Sequence, residues 1–342
     1  MGQQRRIAHR SSPSLPASLT ATPTMRLFLS PSLRAAAAAL LVSLSASASA
    51  ADVVLRIGYL RTQGYIADFP LAKVEIPGVK LELVPLETGN DALEAVNAGA
   101  VDIGETGEVQ PIFAQSGRRP VRVIAATAPQ TAATAILVRK DAPIETVADL
   151  KGKKIAFVQG TNSHWLLIQV LASAGLKQSD IQPVLLGPAD AIAALANGRI
   201  DAAITTAPTI QIIEAQGGRV LADGKGLVNS SLYYLATTRT IAGEKRPALD
   251  AFVKALDTHL GWIQQNLDAR ADWLAPKYGL PPGIVRAASN VMVPNLVPVG
   301  DGKLAAYTQR IADAFAGQKL IPGRIDTREE FDGSFDRNLA AP

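Results

Sequence analysis

Two stretches of this chain repeat one pattern at a constant spacing. Asp91 to Asp102 reads Asp-Ala-Leu and then Gly-Ala-Val-Asp, while Asp190 to Asp201 reads Asp-Ala-Ile and then Gly-Arg-Ile-Asp, so Asp190 lies 99 residues after Asp91. In each copy a helical period ends at a glycine, and a short apolar strand follows. Because strands alternate with helices, the sequence predicts two α/β lobes with parallel-rich sheets.

The segments around the repeat complete this arrangement. Strand patterns occur before and between the two copies: Val53–Tyr59, Lys80–Pro85, Val121–Ala126, Thr134–Arg139 and Lys154–Val158. From Lys245 the pattern becomes helical and predicts four helices without strands: Pro247–Gln265, Ala269–Lys277, Pro281–Ser289 and Lys303–Ala316. A polar tail from Gln318 is expected to follow.

A hinge is predicted where the chain passes between the lobes. Ala135–Val138 and Leu232–Ala236 flank the second lobe, and both have strand character. We expect them to be paired crossing strands, which makes lobe 2 an insertion within lobe 1. The predicted divisions are 51–135 for the first part of lobe 1, 136–234 for lobe 2, and 235–342 for the completion of lobe 1. A hinged two-lobed protein binds small molecules in its cleft.

The turn Gln159–Trp165 joins an apolar strand to an apolar helix. Gly160 permits a tight turn, and Thr161, Asn162 and Ser163 are residue types that begin helices. The free N–H groups of a first helical turn attract anions together with the helix dipole. Two interpretations stay open: either Thr161 or Asn162 caps the helix with its own oxygen, or the N–H groups are left for a ligand.

Composition excludes several classes of site. The chain has no Cys, which excludes disulfides, thiolate metal sites and cysteine nucleophiles. Its three His residues form no pattern typical of a metal site. Residues 1–50 hold five Arg and no Lys or acidic residue, leaving 29 of the 34 basic residues against 30 acidic ones. The remaining chain therefore has no electrostatic basis for nucleic-acid binding.

Residues 1–50 predict a signal peptide and a segment that precedes it. Met25-Arg26 begins a positively charged region that extends to Arg34, and an apolar run follows over Ala35–Leu44. Ala48-Ser49-Ala50 is a small-residue cleavage site. Because the apolar run is too short to span a bilayer, we expect export and a mature chain that starts near Ala51.

Six motifs in a fixed order resemble those of one family and cover most of residues 51–316. They are Gly104-Glu105-Thr106-Gly107-Glu108, Val147-Ala148-Asp149-Leu150-Lys151-Gly152-Lys153-Lys154, Gly160-Thr161-Asn162-Ser163-His164-Trp165-Leu166-Leu167, Ser179-Asp180-Ile181, Pro188-Ala189-Asp190-Ala191 and Val220-Leu221-Ala222-Asp223-Gly224-Lys225-Gly226-Leu227-Val228-Asn229. The chain resembles the periplasmic solute-binding proteins of ABC importers for aliphatic sulfonates, taurine and nitrate. The aliphatic sulfonate group is the most similar.

This resemblance implies an α/β, two-lobed periplasmic-binding-protein fold of the second type. It further implies a monomer in the periplasm, without catalysis or cofactor, that delivers a small anionic ligand to an ABC permease and ATPase complex at the inner membrane. Residues carried over to matching positions would hold the anion from both lobes: Thr106, Gly107, Glu108, Thr161, Asn162 and His164. A sulfonate has three acceptor oxygens and one charge, so neutral donors and a helix dipole can bind it without an Arg.

Some of these residues also fit other roles. A carboxylate at Glu108 would repel an anion, so this residue is also a candidate for a helix cap or a pair across the cleft. A helix N-terminus disfavours cationic His164, which leaves a neutral donor or a structural residue. Arg61, directly after the first predicted strand, is a further candidate contact for the anion.

The chain departs from the family where Trp-Asp-Pro is usual, because it has Thr206-Ala207-Pro208. Thr206 would then replace an aromatic wall, and Ala207 would replace the carboxylate that meets an ammonium group. Taurine becomes a poor candidate, and an uncharged alkanesulfonate is preferred. Nitrate and sulfate esters stay open as alternative ligands.

Two other classes of protein are weaker interpretations. Enzymes of related folds use a reactive Cys or a His-rich centre, and this sequence offers neither. Ser163 and His164 are adjacent, which does not by itself make a nucleophile–base pair. An effector-binding domain of a transcription factor conflicts with the predicted signal peptide and with the lack of a DNA-binding segment.

Overall fold

The computed structural model describes residues 52–292 and 294–340, so the predicted signal peptide lies outside the described residues. The chain forms alternating strands and helices. The strands are β1 (Val53–Leu60), β2 (Val79–Leu86), β3 (Ile103–Gly107), β4 (Val121–Thr127), β5 (Thr134–Arg139), β6 (Lys154–Phe157), β7 (Gln182–Leu185), β8 (Ala202–Thr206), β9 (Gly218–Asp223), β10 (Leu232–Thr237) and β11 (Leu296–Val297).

The α-helices follow the strands of each repeat copy and then dominate the last third of the chain. They are α1 (Phe69–Ala72), α2 (Gly89–Asn97), α3 (Gln110–Ser116), α4 (Asn162–Ser173), α5 (Pro188–Ala196), α6 (Thr209–Ala215), α7 (Thr238–Ala242), α8 (Arg246–Gln265), α9 (Leu267–Tyr278), α10 (Pro282–Asn290) and α11 (Lys303–Gly317). Short 3-10 turns lie at Thr131–Ala133, Val147–Leu150, Gln178–Asp180, Thr327–Glu330 and Gly333–Asn338. No helix among the described residues is long and apolar enough to cross a membrane.

Two sheets define the two lobes. In lobe 1 the six strands have the order β11-β4-β10-β3-β1-β2, and in lobe 2 the five strands have the order β7-β6-β8-β5-β9. Strand β1 lies parallel between β2 and β3, just as β6 lies parallel between β7 and β8. Each sheet then has one inner strand antiparallel to both of its neighbours, β10 in lobe 1 and β5 in lobe 2, and the edge strand β11 is antiparallel to β4.

The shared strand order explains the sequence repeat. Helix α2 and strand β3 of lobe 1 correspond to helix α5 and strand β8 of lobe 2. Glycines with positive φ, Gly99 and Gly198, follow the two helices and turn the chain toward the strand. The predicted two-lobed α/β fold is confirmed.

The predicted pairing of the two crossing strands is wrong. Strand β5 pairs with β8 and β9 inside lobe 2, while β10 pairs with β3 and β4 inside lobe 1. Strands β5 and β10 each have both of their partners in one sheet. The chain therefore crosses between the lobes in the segments that precede β5 and β10. These segments do touch, since the backbone N–H of Gln130 donates to Asn229 O at 2.6 Å. The predicted divisions at 135/136 and 234/235 stay predictions.

The last third of the chain packs on both lobes. Buried residues of α8, such as Phe252 and Leu256, pack in the core of lobe 1. Helix α11 contributes Ile311 and Phe315 to the core of lobe 2. Two expectations for this region are corrected: β11 adds a strand to the lobe 1 sheet, and the tail after Gln318 is partly buried, with Phe335 in the core of lobe 1.

Candidate functional site

A cavity lies between the two lobes, where the parallel strands end. Strands β1, β3 and β8 end at Leu60, Gly107 and Thr206, and all three residues line it. The empty space is about 870 Å³, including the part open to solvent. The carboxyl ends of parallel strands are the usual place for ligands in α/β proteins, because loops and helix N-termini meet there.

Helix α4 presents an open N-terminus to this cavity. Its N-cap residue, Thr161, has extended backbone angles, φ −130° and ψ 179°, but its side chain makes no capping bond. The hydroxyl instead donates to the carbonyl of Val158 at 2.7 Å. The backbone N–H groups of Asn162, Ser163 and His164 have no acceptor among the described residues. Three donors and the positive end of a twelve-residue helix are therefore available to an anion.

The charge of the wall fits an anion held by neutral donors. Among the described residues that line the cavity none is Lys, Arg or His, and Glu87 is the one charged residue. Glu87 is bound by Arg61 through two contacts of 2.9 Å. The hydroxyl-bearing residues Thr134, Thr205, Thr206 and Ser230 also line the cavity, and the hydroxyls of Thr134 and Ser230 are 2.8 Å apart.

The rest of the wall is apolar. It is lined by aliphatic side chains from both lobes: Leu60, Val158, Leu186, Pro188, Ala191, Ile204, Ala207, Leu232 and Met292. An organic anion with a carbon chain can therefore set its charged end at α4 and its chain on this surface. The site thus has a polar and an apolar part.

Four of the predicted ligand residues line the cavity, namely Gly107, Thr161, Asn162 and Thr206. Gly107 and Asn162 come from different lobes and touch, because a Cβ at position 107 would lie 2.5 Å from Asn162 Oδ1. A larger residue at 107 would thus displace the Asn162 amide or hold the lobes apart.

The structure places the Glu108 carboxylate away from the cavity, in the hinge. It accepts hydrogen bonds from the backbone N–H groups of Ser230 and Ser231 and from Tyr307 Oη, at 3.1, 2.9 and 2.7 Å. Burial raises the pKa of Glu108 to about 7. Because Tyr307 also accepts from Trp165 Nε1 at 3.1 Å, the group joins both lobes and one crossing segment. Glu108 therefore does not cap the helix but pairs across the hinge. Its contact with the anion stays a prediction.

Three other predicted residues also point elsewhere. The hydroxyl of buried Thr106 donates to Gly107 O at 3.0 Å. In His164, Nδ1 accepts from Gly160 N at 3.3 Å and Nε2 donates to Gln178 Oε1 at 3.1 Å. Burial lowers the pKa of His164, so the ring is neutral and serves the turn. Arg61 is partly exposed and engaged by Glu87, so its charge is not directed at the cavity.

Gln110 is a cavity residue that the sequence patterns did not reveal. It opens α3 in lobe 1, and its Nε2 donates to the carbonyl of Gly160 in lobe 2 at 3.4 Å. Its side chain therefore spans the cleft. The signal in the sequence is a lone amide in the apolar segment Val109–Ala114.

The sequence of this chain is similar to those of known proteins. Residues 75–268 match the family described as NMT1/THI5 like. A putative aliphatic sulfonates-binding protein of Escherichia coli is 35% identical over 296 residues, which is 84% of this chain and 92% of the relative. The chain belongs to the NMT1/THI5-like family.

Solved structures of the family agree with the fold. The periplasmic aliphatic sulphonate binding protein SsuA from Escherichia coli matches with a TM-score of 0.75 and 34% identity, covering 82% of this chain and 97% of that one. The alkanesulfonate-binding protein SsuA from Xanthomonas axonopodis pv. citri, bound to MOPS, matches with a TM-score of 0.77 and 31% identity, covering 83% and 99%.

Proposed function

We propose that this protein is the substrate-binding component of an ABC importer and binds an aliphatic sulfonate between its lobes. The observation that carries the proposal is the uncapped N-terminus of α4 in a cavity whose described wall has no cationic side chain. A sulfonate needs donors for three oxygens and has no proton to give. Three backbone N–H groups and nearby hydroxyls meet that need.

The remaining features of the function follow from the family. Relatives that match over most of the chain are named as sulfonate-binding proteins, which supports binding and delivery without catalysis. The partners are then a membrane permease with its ATPase, and the location is the periplasm after removal of residues 1–50. The proposal includes a monomer, in which each chain has a complete cleft.

The apolar wall predicts a dependence on chain length. Each CH₂ group buried on this surface contributes about 0.8 kcal/mol, which is roughly a fourfold change in affinity. We expect the dissociation constants of methane-, ethane-, propane- and butanesulfonate to fall by about that factor per carbon until the cavity is filled. Nitrate, which has no chain, should bind more weakly than all of them.

Calorimetric titration of the mature chain, residues 51–342, with this series tests the proposal. Sulfate esters and taurine serve as comparison ligands, and analysis of the titrated samples for products tests the enzyme alternative. Saturable binding without product is expected. Conversion of any of the sulfonates, or nitrate binding more tightly than butanesulfonate, would overturn the proposed function.

A further inference from the structure

Two amide oxygens on the cavity wall lack donors. Gln110 Oε1 in lobe 1 and Asn162 Oδ1 in lobe 2 are buried and accept no hydrogen bond from the described residues. Their side chains are 2% and 8% exposed, and both residues line the cavity. A buried acceptor without a donor costs free energy, so such an atom on a cavity wall is a candidate to accept a hydrogen bond from a ligand.

The two oxygens converge on one point. A Cβ added to Gly107 would lie 2.5 Å from Asn162 Oδ1 and 3.1 Å from Gln110 Oε1. The acceptors therefore lie near each other across the cleft, next to Gly107. Asn162 is also the first residue of α4, so this point is close to the N–H groups that meet the anion.

The orientation of the Gln110 amide is fixed by its neighbours. Its Nε2 donates to Gly160 O at 3.4 Å and to Asn90 Oδ1 at 3.3 Å. A rotation of the amide by 180° would bring Oε1 against the carbonyl of Gly160, which can only accept. The oxygen that faces Gly107 is thus an acceptor, and a hydroxyl group of a ligand would satisfy it.

We infer that the preferred ligand is a hydroxyalkanesulfonate, whose O–H donates to Gln110 Oε1 or Asn162 Oδ1 while its sulfonate is bound by the N–H groups of α4. This inference rests on the proposed function and names the class of sulfonate. A hydroxyl suits the site better than an ammonium group because both acceptors are neutral amides. The carboxylate on the wall, Glu87, is already bound by Arg61, so a buried ammonium would lack a counter-charge.

A short ligand series tests this inference directly. 2-Hydroxyethanesulfonate, ethanesulfonate and taurine share the sulfonate and two carbons, and they differ only in the terminal group. We expect 2-hydroxyethanesulfonate to bind about tenfold more tightly than ethanesulfonate, equivalent to about 1.4 kcal/mol, because ethanesulfonate leaves both acceptors without a donor. Taurine should bind most weakly.

Variants assign the preference to the two amides. Asn162→Leu and Gln110→Leu each remove one acceptor, and each should lower the ratio of the two dissociation constants toward 1. Gln115→Leu is the matched control, since Gln115 lies on the same helix, α3, and its Oε1 also lacks a donor, but it is outside the cavity lining. This control should keep the tenfold ratio. If Gln110→Leu unfolds, Asn162→Leu still tests the inference. The Asn162 side chain makes no hydrogen bond among the described residues, so its loss leaves the fold intact.

The outcomes separate this inference from the proposed function. Equal affinity for 2-hydroxyethanesulfonate and ethanesulfonate in the native protein would overturn the hydroxyl preference and leave the sulfonate-binding function standing. A preference that persists unchanged in both amide variants would also overturn it. If no sulfonate binds at all, the proposed function fails, and this inference fails with it.

Discussion

Two of the helix N-termini at the cleft, one from each lobe, differ in one respect. Helix α2 of lobe 1 begins after Thr88, whose hydroxyl accepts from Asp91 N at 3.2 Å, while Asp91 Oδ2 accepts from Thr88 N at 3.0 Å. Helix α4 of lobe 2 begins after Thr161, which makes no such bond. Thr88 and Thr161 both line the cavity.

The difference shows why only one of these helix ends suits an anion. At α2 the carboxylate of Asp91 occupies a donor and neutralises the positive end of the dipole. At α4 the Thr161 hydroxyl is turned to Val158, so the donors and the dipole stay available. Similar residue types thus give a closed helix end in lobe 1 and an open one in lobe 2.

The largest expected effect comes from closing α4 in the same way as α2. In Thr161→Asp the new carboxylate caps the helix and repels an anion about 4 Å away by about 4 kcal/mol at an effective dielectric constant of about 20. We expect ethanesulfonate affinity to fall at least about a hundredfold, while the melting temperature is kept or raised. Calorimetric titration and thermal melts measure the two effects.

Two further variants serve as controls for that result. Thr161→Asn caps the helix without a charge, so we expect it to lose less affinity than Thr161→Asp. The difference between the two variants measures the charge repulsion, and the loss in Thr161→Asn measures the effect of occupying a backbone N–H group. Asp91→Ala opens α2 at a cost of about 1 kcal/mol in stability, with affinity unchanged within about twofold. Native affinity in Thr161→Asp would show that the anion does not bind at α4.

A smaller loss of sulfonate affinity is expected from a substitution that keeps the open N-terminus of α4 away from lobe 1. Gly107 has no positive φ, so alanine fits its backbone, but the added Cβ would lie 2.5 Å from Asn162 Oδ1 of α4. A shift of the Asn162 amide or a small separation of the lobes relieves this clash, and neither change unfolds a lobe. Gly107→Ala should therefore weaken sulfonate binding about tenfold, or about 1.4 kcal/mol, with little change in melting temperature.

Gly187→Ala is the matched control for that variant, because a Cβ at position 187 meets nothing within 4 Å. Gly187 also adjoins the cavity, between Leu186 and Pro188, which line it. Its affinity should stay native. Equal losses in the two variants would mean that the contact between Gly107 and Asn162 does not control closure of the cleft.

The fold could be predicted from the sequence because its determinants are local. The helix periods, the glycines that end them and the apolar strands are all visible within short windows, and the 99-residue repeat showed that the two lobes are alike. The partners of β5 and β10 were predicted wrongly, because an apolar strand pattern does not indicate which sheet the strand joins.

The site was only partly predictable, for the same reason. Thr161 and Asn162 were found because a strand, a glycine and a helix start are neighbours in sequence. The partners of Glu108 are distant, since Ser231 lies 123 residues away and Tyr307 lies 199 residues away. A carboxylate next to a predicted anion site therefore belongs to the hinge, and only the tertiary structure shows this.

The smallest expected effect is that of pH on affinity. It distinguishes the N-terminus of α4, where the donors are backbone N–H groups, from the hinge, which contains Glu108. Backbone N–H groups and a sulfonate do not titrate between pH 5 and 8, so affinity for ethanesulfonate should stay constant within about twofold. Glu108 does titrate there, because burial raises its pKa from 4.5 to about 7. The folded state then binds a proton more tightly than the unfolded state, and this contribution to stability is lost as pH rises through that window.

Glu108→Gln isolates this contribution from other titrating groups, such as His164, whose lowered pKa acts in the opposite direction. Between pH 5 and pH 8 the free energy of unfolding of the native protein should fall relative to that of the variant by about 2–3 kcal/mol. Urea unfolding at several pH values measures this difference, and titrations at the same pH values measure affinity. If the affinity of the native protein falls as Glu108 loses its proton, this carboxylate lies against the ligand. The assignment of the anion site to α4 and of Glu108 to the hinge would then be wrong.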